Sequence, residues 1–303
     1  MGNIIVSRLV FSQRPTASLC EYDNLFRNDL VELVHSGRGY KIPLTKYDCS
    51  SSSRRVRRLN NSQGQPVIVY SHGNAEDLKS IEMWCRTLSK RLNAIVYAYD
   101  YCGYGLHRCT AGDHVSASQS NVYADVLTVV DHVCLTHDPQ NVTLFGRSLG
   151  CAPTIYAAKK RVRVGHVILE APFLTPAKTV TDRRPSAAVL TSLFGGNSIF
   201  PNERYIQDVT QPLLFIHGTQ DNIVPISHSQ QLIKLARGSH CIHSEWIEGA
   251  GHNDLDVRFT SQILTAIGRF LFTQSKYERS TNTIHQATMG AAAAARGCSK
   301  QSA

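Results

Sequence analysis

Ser148 stands in the segment Gly-Arg-Ser-Leu-Gly at residues 146–150, directly after an apolar run that predicts a buried strand. A G-x-S-x-G segment between a strand and a helix is typical of a sharp turn that exposes the serine hydroxyl at the end of a sheet. Gly146 and Gly150 suit such a turn because chain segments approach each other closely there. A helix predicted from Leu149 would direct its N-terminal dipole at the same point. Ser148 is therefore a candidate nucleophile for acyl transfer.

A serine hydroxyl is a weak nucleophile at neutral pH and needs a neighbouring base. His252 and Asp221 each follow a predicted strand, and the chain order serine, acid, histidine is that of hydrolases with such a turn. His252 would accept the proton of Ser148, and Asp221 would orient the imidazole. Glu170, at the end of another predicted strand, is an alternative acid.

The negative charge that develops on a substrate carbonyl oxygen also needs hydrogen-bond donors. The loop after another predicted strand begins with His72 and Gly73, and we assign one backbone donor to Asn74, with Ala75 as the alternative. Leu149, the residue after the candidate nucleophile, would supply the second backbone N–H.

These candidates are positioned by apolar runs that alternate with helical segments. The predicted strands are a hairpin of Asp29–His35 and Tyr40–Tyr47, followed by Val67–Ser71, Ile95–Asp100, Val142–Gly146, Val167–Ala171, Leu213–His217 and Ser244–Ile247. The predicted helices are Ile81–Leu92, Gln119–Thr136, Leu149–Lys160, Ile226–Ala236 and Val257–Phe272. This alternation predicts an α/β fold with a mostly parallel central sheet and helices on both faces. Ligands of such sheets bind at the carboxyl ends of the strands, where the candidate residues lie.

The domain organisation follows from this rhythm. Residues 29–273 form the predicted catalytic domain, 1–28 a separate N-terminal segment and 274–303 a disordered tail. Residues 174–210 interrupt the alternation and predict a small cap-like insertion near the site. In it, Leu190, Leu193 and Phe194 are predicted to line the substrate pocket, the alternative being plain packing against the sheet.

The net charge of +9 is concentrated at the chain ends. Residues 1–60 contain 10 lysines and arginines against 5 acids, whereas residues 61–270 contain 18 against 17. A nearly neutral domain argues against a nucleic-acid partner, and the basic N-terminal region permits peripheral contact with an anionic membrane. Gly2 and Cys20 are candidate lipidation sites, and the arginines of Arg54–Arg58 form either a solvated loop or a contact with acidic lipid.

The cysteine pattern indicates whether the protein works in a reducing or an oxidising compartment of the cell. The chain has nine cysteines with no C-x-x-C pair, and it lacks a recognisable signal peptide. We therefore expect free thiols and a cytoplasmic location, either in solution or peripheral on the cytoplasmic face of a membrane. The predicted chemistry is complete with side chains and backbone, so neither a metal nor an organic cofactor is expected.

The motifs at residues 70–78, 99–105, 146–150, 217–221 and 248–254, taken in order, resemble the alpha/beta hydrolase domain-containing protein 17 family. The resemblance covers residues 29–272. It implies an α/β-hydrolase fold, a triad of Ser148, Asp221 and His252, and removal of palmitate from protein cysteines through an acyl-enzyme. The substrate would then be an S-acylated protein or a small acyl ester.

Two departures from the family accompany this resemblance. Arg147 stands where the family usually has glutamine, and Cys20 stands alone where the family carries an N-terminal cysteine cluster. A serine peptidase or aminopeptidase and a general carboxylesterase remain alternatives on the same triad. A catalytically silent binding protein on this fold is a further alternative.

Overall fold

The structure is a computed structural model that describes residues 11, 22–23, 25, 30–49, 64–111, 116–183 and 199–272. Several sequence predictions lie outside the described residues: Gly2, Cys20, Arg54–Arg58, Leu190, Leu193, Phe194 and the tail from residue 274.

In the described part of the chain, eight strands form one sheet in the order β1-β2-β4-β3-β5-β6-β7-β8. Their bounds are β1 (Val31–His35), β2 (Lys41–Asp48), β3 (Val67–Ser71), β4 (Ile95–Tyr99), β5 (Val142–Arg147), β6 (His166–Glu170), β7 (Leu213–Gly218) and β8 (Ile242–Ile247). The pairs β1–β2 and β2–β4 are antiparallel, and all other pairs are parallel. The predicted hairpin and the mostly parallel sheet are therefore confirmed.

Alternate residues of the central strands face two separate apolar clusters. In β3, Val67 and Val69 belong to one cluster, whereas Ile68 and Tyr70 belong to the other. Every residue of β3 through β7 is buried, because helices cover both faces of the sheet. This double burial explains why these strands are continuous apolar runs in the sequence.

Helices follow the strands in the described part of the chain, and three of them, at residues 105–111, 176–183 and 202–205, are not among the predicted helices. They are α1 (Glu82–Leu92), α2 (Gly105–Ala111), α3 (Gln119–Cys134), α4 (Cys151–Lys160), α5 (Pro176–Arg183), α6 (Asn202–Tyr205), α7 (Ser227–Leu235), α8 (Leu255–Arg258) and α9 (260–272). The helix α3 begins after Ser118, whose side chain accepts a hydrogen bond from the Asn121 N–H. The helix α1 ends at Asn93 in the left-handed conformation.

Two predicted helices differ from the observed ones. The segment Val257–Phe272, predicted as one helix, is divided at Phe259, whose backbone leaves the helical region and whose ring packs on the second cluster. The helix predicted from Leu149 starts as a 3-10 turn at Ser148–Gly150 and becomes α-helical at Cys151. The backbone of Ser148, which is left-handed, accounts for this delayed start.

Candidate active site

The turn between β5 and α4 presents Ser148 in a conformation that few side chains adopt. Its φ is +49°, in the left-handed region. The flanking glycines allow this turn to approach its neighbours. A Cβ on Gly150 would overlap the Ser71 carbonyl oxygen, and a Cβ on Gly146 would lie 2.6 Å from Thr154 Oγ1. The sequence therefore needs both glycines here for steric reasons.

Three predicted residues lie together at the carboxyl ends of β5, β7 and β8. The Ser148 Oγ lies 2.9 Å from His252 Nε2, and His252 Nδ1 lies 2.6 Å from Asp221 Oδ2. Since an ionised carboxylate only accepts, Nδ1 carries the proton that it donates to Asp221. The Nε2 atom of His252 is then the acceptor that faces the Ser148 hydroxyl, which is the arrangement a general base requires.

Asp221 is held in place and in its charged form. Its Oδ1 accepts the backbone N–H groups of Ile223 and Val224, each at 2.8 Å. The His217 Nε2–H donates to the Val224 carbonyl at 2.8 Å and lies 3.3 Å from Asp221 Oδ2. Burial raises the pKa of Asp221, but the hydrogen bonds from His217 and His252 outweigh it, so this pKa lies well below its ordinary value.

The alternative acid, Glu170, lies at the end of β6 and has a different partner. Its Oε1 accepts from Arg147 Nε at 3.2 Å, while the acid hydrogen-bonded to His252 is Asp221. Glu170 is fully buried, and burial raises its pKa to about 7 although Arg147 opposes this shift. The geometry therefore favours Asp221 over Glu170 as the partner of the imidazole.

The loop after β3 fixes the peptide that carries the Asn74 N–H. The Nδ1–H of His72 donates to the Gly73 carbonyl at 2.8 Å. Because the peptide bond is planar and trans, the Asn74 N–H points away from that carbonyl. The side chain of Asn74 is held separately, since its Oδ1 accepts from Tyr104 OH at 2.8 Å. The role of Asn74 and Leu149 as oxyanion donors, with Ala75 as the alternative to Asn74, stays a prediction.

Buried groups behind this loop form hydrogen bonds and ion-pair contacts with it. His72 is fully buried, and its Nε2 lies 3.5 Å from Asp100 Oδ1. Burial lowers the pKa of His72, but the Asp100 carboxylate raises it more, so the pKa lies above its ordinary value. Tyr101 OH donates to the His72 carbonyl at 2.7 Å. The tyrosines of the turn after β4 thus hold the loop after β3.

Sequence reasoning did not foresee how Arg147 and Glu76 contribute. Arg147 is 6% exposed and bonds three groups: Glu76, Glu170 and the His252 carbonyl, the last at 3.2 Å. Burial lowers the pKa of Arg147, but Glu76 and Glu170 raise it more, so the guanidinium stays charged. The signal was present in the sequence, because a charge at the end of a buried strand needs a buried partner.

Metal ligation finds no support in the described residues, where no group of three or more His, Cys, Asp or Glu side chains could hold an ion. The pair Cys241 and His243, with Sγ and Nε2 3.3 Å apart, lies at the edge strand β8. The seven cysteines that the structure describes are free thiols.

Comparison with known proteins places the chain in a family. It is 32% identical over 209 residues to alpha/beta hydrolase domain-containing protein 17C of Xenopus tropicalis, covering 68% of this chain and 61% of the relative. The corresponding protein of Mus musculus is 31% identical over 248 residues, covering 80% of this chain and 68% of the relative. The chain belongs to the alpha/beta hydrolase domain-containing protein 17 family. The match to the Xenopus protein thus spans less than two thirds of that relative's length.

Other comparisons agree with this family and its fold. Residues 62–204 match a family described as serine aminopeptidase, S33. The Pyrococcus furiosus esterase Pf2001 superposes with a TM-score of 0.62 at 15% identity, covering 87% of this chain and 97% of the esterase. The predicted α/β-hydrolase fold is therefore confirmed.

None of the helices that the structure describes is long and apolar enough to cross a bilayer.

Proposed function

We propose that this member of the family is a serine hydrolase in which Ser148 is the nucleophile, His252 the general base and Asp221 the orienting acid. The observation that carries the proposal is the continuous chain of hydrogen bonds from the Ser148 Oγ through the imidazole to the Asp221 carboxylate. Family membership supports the same conclusion.

The reaction would proceed in two steps. In the first, the Ser148 Oγ bonds to the substrate carbonyl carbon while His252 Nε2 takes the hydroxyl proton. Collapse of the tetrahedral intermediate breaks the bond to the leaving group, and His252 returns the proton to it. In the second step, His252 takes a proton from water as that water attacks the acyl carbon. The bond between the acyl carbon and Ser148 Oγ then breaks, His252 returns the proton to Oγ, and the carboxylic acid leaves. The backbone N–H groups of Asn74 and Leu149 would stabilise the oxyanion in both steps.

For the substrate, we propose long-chain acyl thioesters of protein cysteines, so that the leaving group is a cysteine thiol. The motif resemblance that implies protein depalmitoylation supports this class. A peptidase acting on aminoacyl amides is the second candidate, because residues 62–204 match the serine aminopeptidase family. Both classes share the acyl-enzyme chemistry, and the binding pocket decides between them.

We also propose that the substrate is reached at the cytoplasmic face of a membrane. The excess of basic residues in the first 60 residues supports this location. Binding of the full chain to vesicles with and without anionic lipid tests the proposal. Equal recovery with both kinds of vesicle would contradict it.

The first experiment labels the protein with a long-chain fluorophosphonate, which reacts with activated serines. We expect labelling of the wild type and none of Ser148→Ala. Ser120→Ala is the matched control, because Ser120 is exposed on α3 and its hydroxyl contacts that of Ser118. A folded wild type that does not react would refute the serine hydrolase and support a catalytically silent protein.

The second experiment compares three substrates of the active protein: a palmitoyl-cysteine peptide, a p-nitrophenyl ester and an aminoacyl amide. We expect the thioester to have the highest kcat/KM. Turnover of the aminoacyl amide alone would replace the thioesterase with the peptidase. Preference for short p-nitrophenyl esters would indicate a general carboxylesterase.

A further inference from the structure

The loop that carries Asn74 is clamped on both sides of Gly73. On one side, the Gly73 carbonyl accepts from His72 Nδ1–H at 2.8 Å. On the other, the Gly73 N–H donates to Glu76 Oε2 at 2.5 Å. Both peptide planes next to Gly73 are therefore fixed by side chains, and with them the direction of the Asn74 N–H.

Glu76 is itself held by a group outside its own loop. Its second oxygen, Oε1, accepts from Arg147 Nη1. Arg147 is the residue immediately before Ser148, at the end of β5. The carboxylate of Glu76 thus connects the nucleophile turn to the Gly73 backbone through two hydrogen bonds.

The other nitrogens of the guanidinium reach two further segments of the site. Arg147 Nη2 donates to the His252 carbonyl at 3.2 Å, and Nε donates to Glu170 at 3.2 Å. Asp256, four residues after His252, adds a further negative charge that acts on the same guanidinium. A planar guanidinium is suited to this task because its donors diverge in a fixed geometry.

We propose that Arg147 is a positioning residue for the reaction. Its guanidinium holds the nucleophile turn, the His252 loop and, through Glu76, the His72–Gly73 peptide that precedes the Asn74 N–H in one arrangement. Arg147 touches none of the reacting atoms, and it acts through the groups that do. This inference rests on the proposed function.

Losing these hydrogen bonds should weaken stabilisation of the transition state and therefore lower kcat. A displaced oxyanion donor stabilises the developing charge less, whereas substrate binding depends on the pocket. We expect Glu76→Gln to lower kcat on p-nitrophenyl butyrate at least tenfold, because one amide oxygen cannot serve both Arg147 and the Gly73 N–H. For Arg147→Ala we expect a loss of roughly 10²-fold, the scale of one lost oxyanion donor. In both variants KM should stay within about threefold of the wild type.

The double variant separates this role from general damage. If Arg147 acts through Glu76, removing both side chains should lower kcat little more than the worse single change does. Arg161→Gln is the matched control, because Arg161 makes a two-point contact of 2.6 Å with Asp131 on the surface. Its kcat should equal that of the wild type.

Arg147→Ala leaves buried Glu170 and half-buried Glu76 without their partner and so threatens folding. Glu76→Gln and Arg147→Lys then carry the test, with circular dichroism to establish the fold. Folded forms of these two variants with kcat within twofold of the wild type would overturn the inference.

Reaction with the fluorophosphonate distinguishes this failure from that of the proposed function. A wild type that does not react removes both proposals. A wild type that reacts, with Glu76→Gln and Arg147→Lys reacting at the same rate, removes only the positioning role. We expect instead that both variants react at least tenfold more slowly.

Discussion

Replacing Asp221 by asparagine exchanges one carboxylate oxygen for an NH₂ group. We expect this exchange to move the proton of His252 from Nδ1 to Nε2. The carboxylate now accepts at both oxygens: Oδ2 from His252 Nδ1–H, and Oδ1 from the backbone N–H groups of Ile223 and Val224. Asparagine has one acceptor and one donor group, so it can meet only one of these requirements. The amide oxygen should stay on the two backbone donors, which places the NH₂ against His252. The imidazole then accepts at Nδ1, carries its proton on Nε2, and no longer accepts the Ser148 proton.

The expected loss of kcat follows from the free-energy cost of the opposite orientation of the asparagine side-chain amide. Turning the amide over would restore the productive tautomer but leave the Ile223 and Val224 N–H groups without their acceptor. Each buried donor left unsatisfied costs roughly 1–3 kcal/mol. At the lower limit, about 2 kcal/mol for the two, roughly 3% of the molecules keep the productive tautomer, because about 1.4 kcal/mol corresponds to tenfold. We therefore expect kcat to fall at least about 30-fold, and up to the roughly 10⁴-fold loss that a reversed tautomer causes in serine proteases.

The assay is kcat on p-nitrophenyl butyrate at pH 7.5, with the urea midpoint of each variant measured in the same buffer. Asp131→Asn is the control, because Asp131 is an exposed carboxylate bound to Arg161. We expect the Asp221→Asn midpoint to fall, because asparagine loses the charge-assisted hydrogen bonds from His217 and His252 that hold the pKa of Asp221 low, while the two backbone bonds keep the loop in place. A kcat within tenfold of the wild type would refute the argument about the tautomer.

Three further changes test other parts of the molecule. Gly150→Ala should destabilise the fold by about 1–3 kcal/mol or more and abolish activity, because the new Cβ would overlap the Ser71 carbonyl; a urea midpoint equal to that of the wild type would contradict this. Glu170, whose pKa is raised by burial from 4.5 to about 7, stays protonated in the folded state while the unfolded chain ionises. The wild type should therefore lose up to about 1.4 kcal/mol of stability per pH unit from pH 4.5 to pH 7, and Glu170→Gln should lose this slope in urea titrations at a series of pH values. Tyr40→Phe removes the 2.6 Å hydrogen bond to buried Asp125 and should lower the free energy of unfolding by roughly 1–3 kcal/mol; no change by urea denaturation would mean that water replaces the phenol.

Most of the sheet could be predicted because its strands are buried on both faces and are bounded by turn residues. The edge strand β8 was harder, since its first residues are exposed and its observed start, Ile242, lies before the predicted one. The helix α2 is absent from the predicted helices, because Gly103 and Gly105, which both take positive φ values just before or at its start, are typical of a turn. Local sequence patterns do not record such tertiary constraints.

In the site, too, some features could be predicted from the sequence and others could not. Ser148, Asp221 and His252 could be placed together because each follows a parallel strand, and parallel strands end at one edge of the sheet. The contacts of Arg147 with Glu76 and Glu170 could not be predicted, because they join side chains from three separate segments. The sequence shows a charge in a buried setting but leaves the choice among several acids open. Distances are needed to make that choice.

The left-handed backbone of Ser148 exposes its hydroxyl but also lowers the stability of the fold, so activity and stability conflict at this position. For an L-residue this conformation costs on the order of 1 kcal/mol relative to glycine. Glycine at this position would therefore remove the backbone strain and abolish catalysis. Alanine would also abolish catalysis but would keep the strain and the shape of the turn. If the proposed function holds, an inactive variant made to capture bound substrate should consequently carry Ser148→Ala. A screen of random variants for thermal stability alone should, in contrast, favour Ser148→Gly, which raises the melting temperature and abolishes activity.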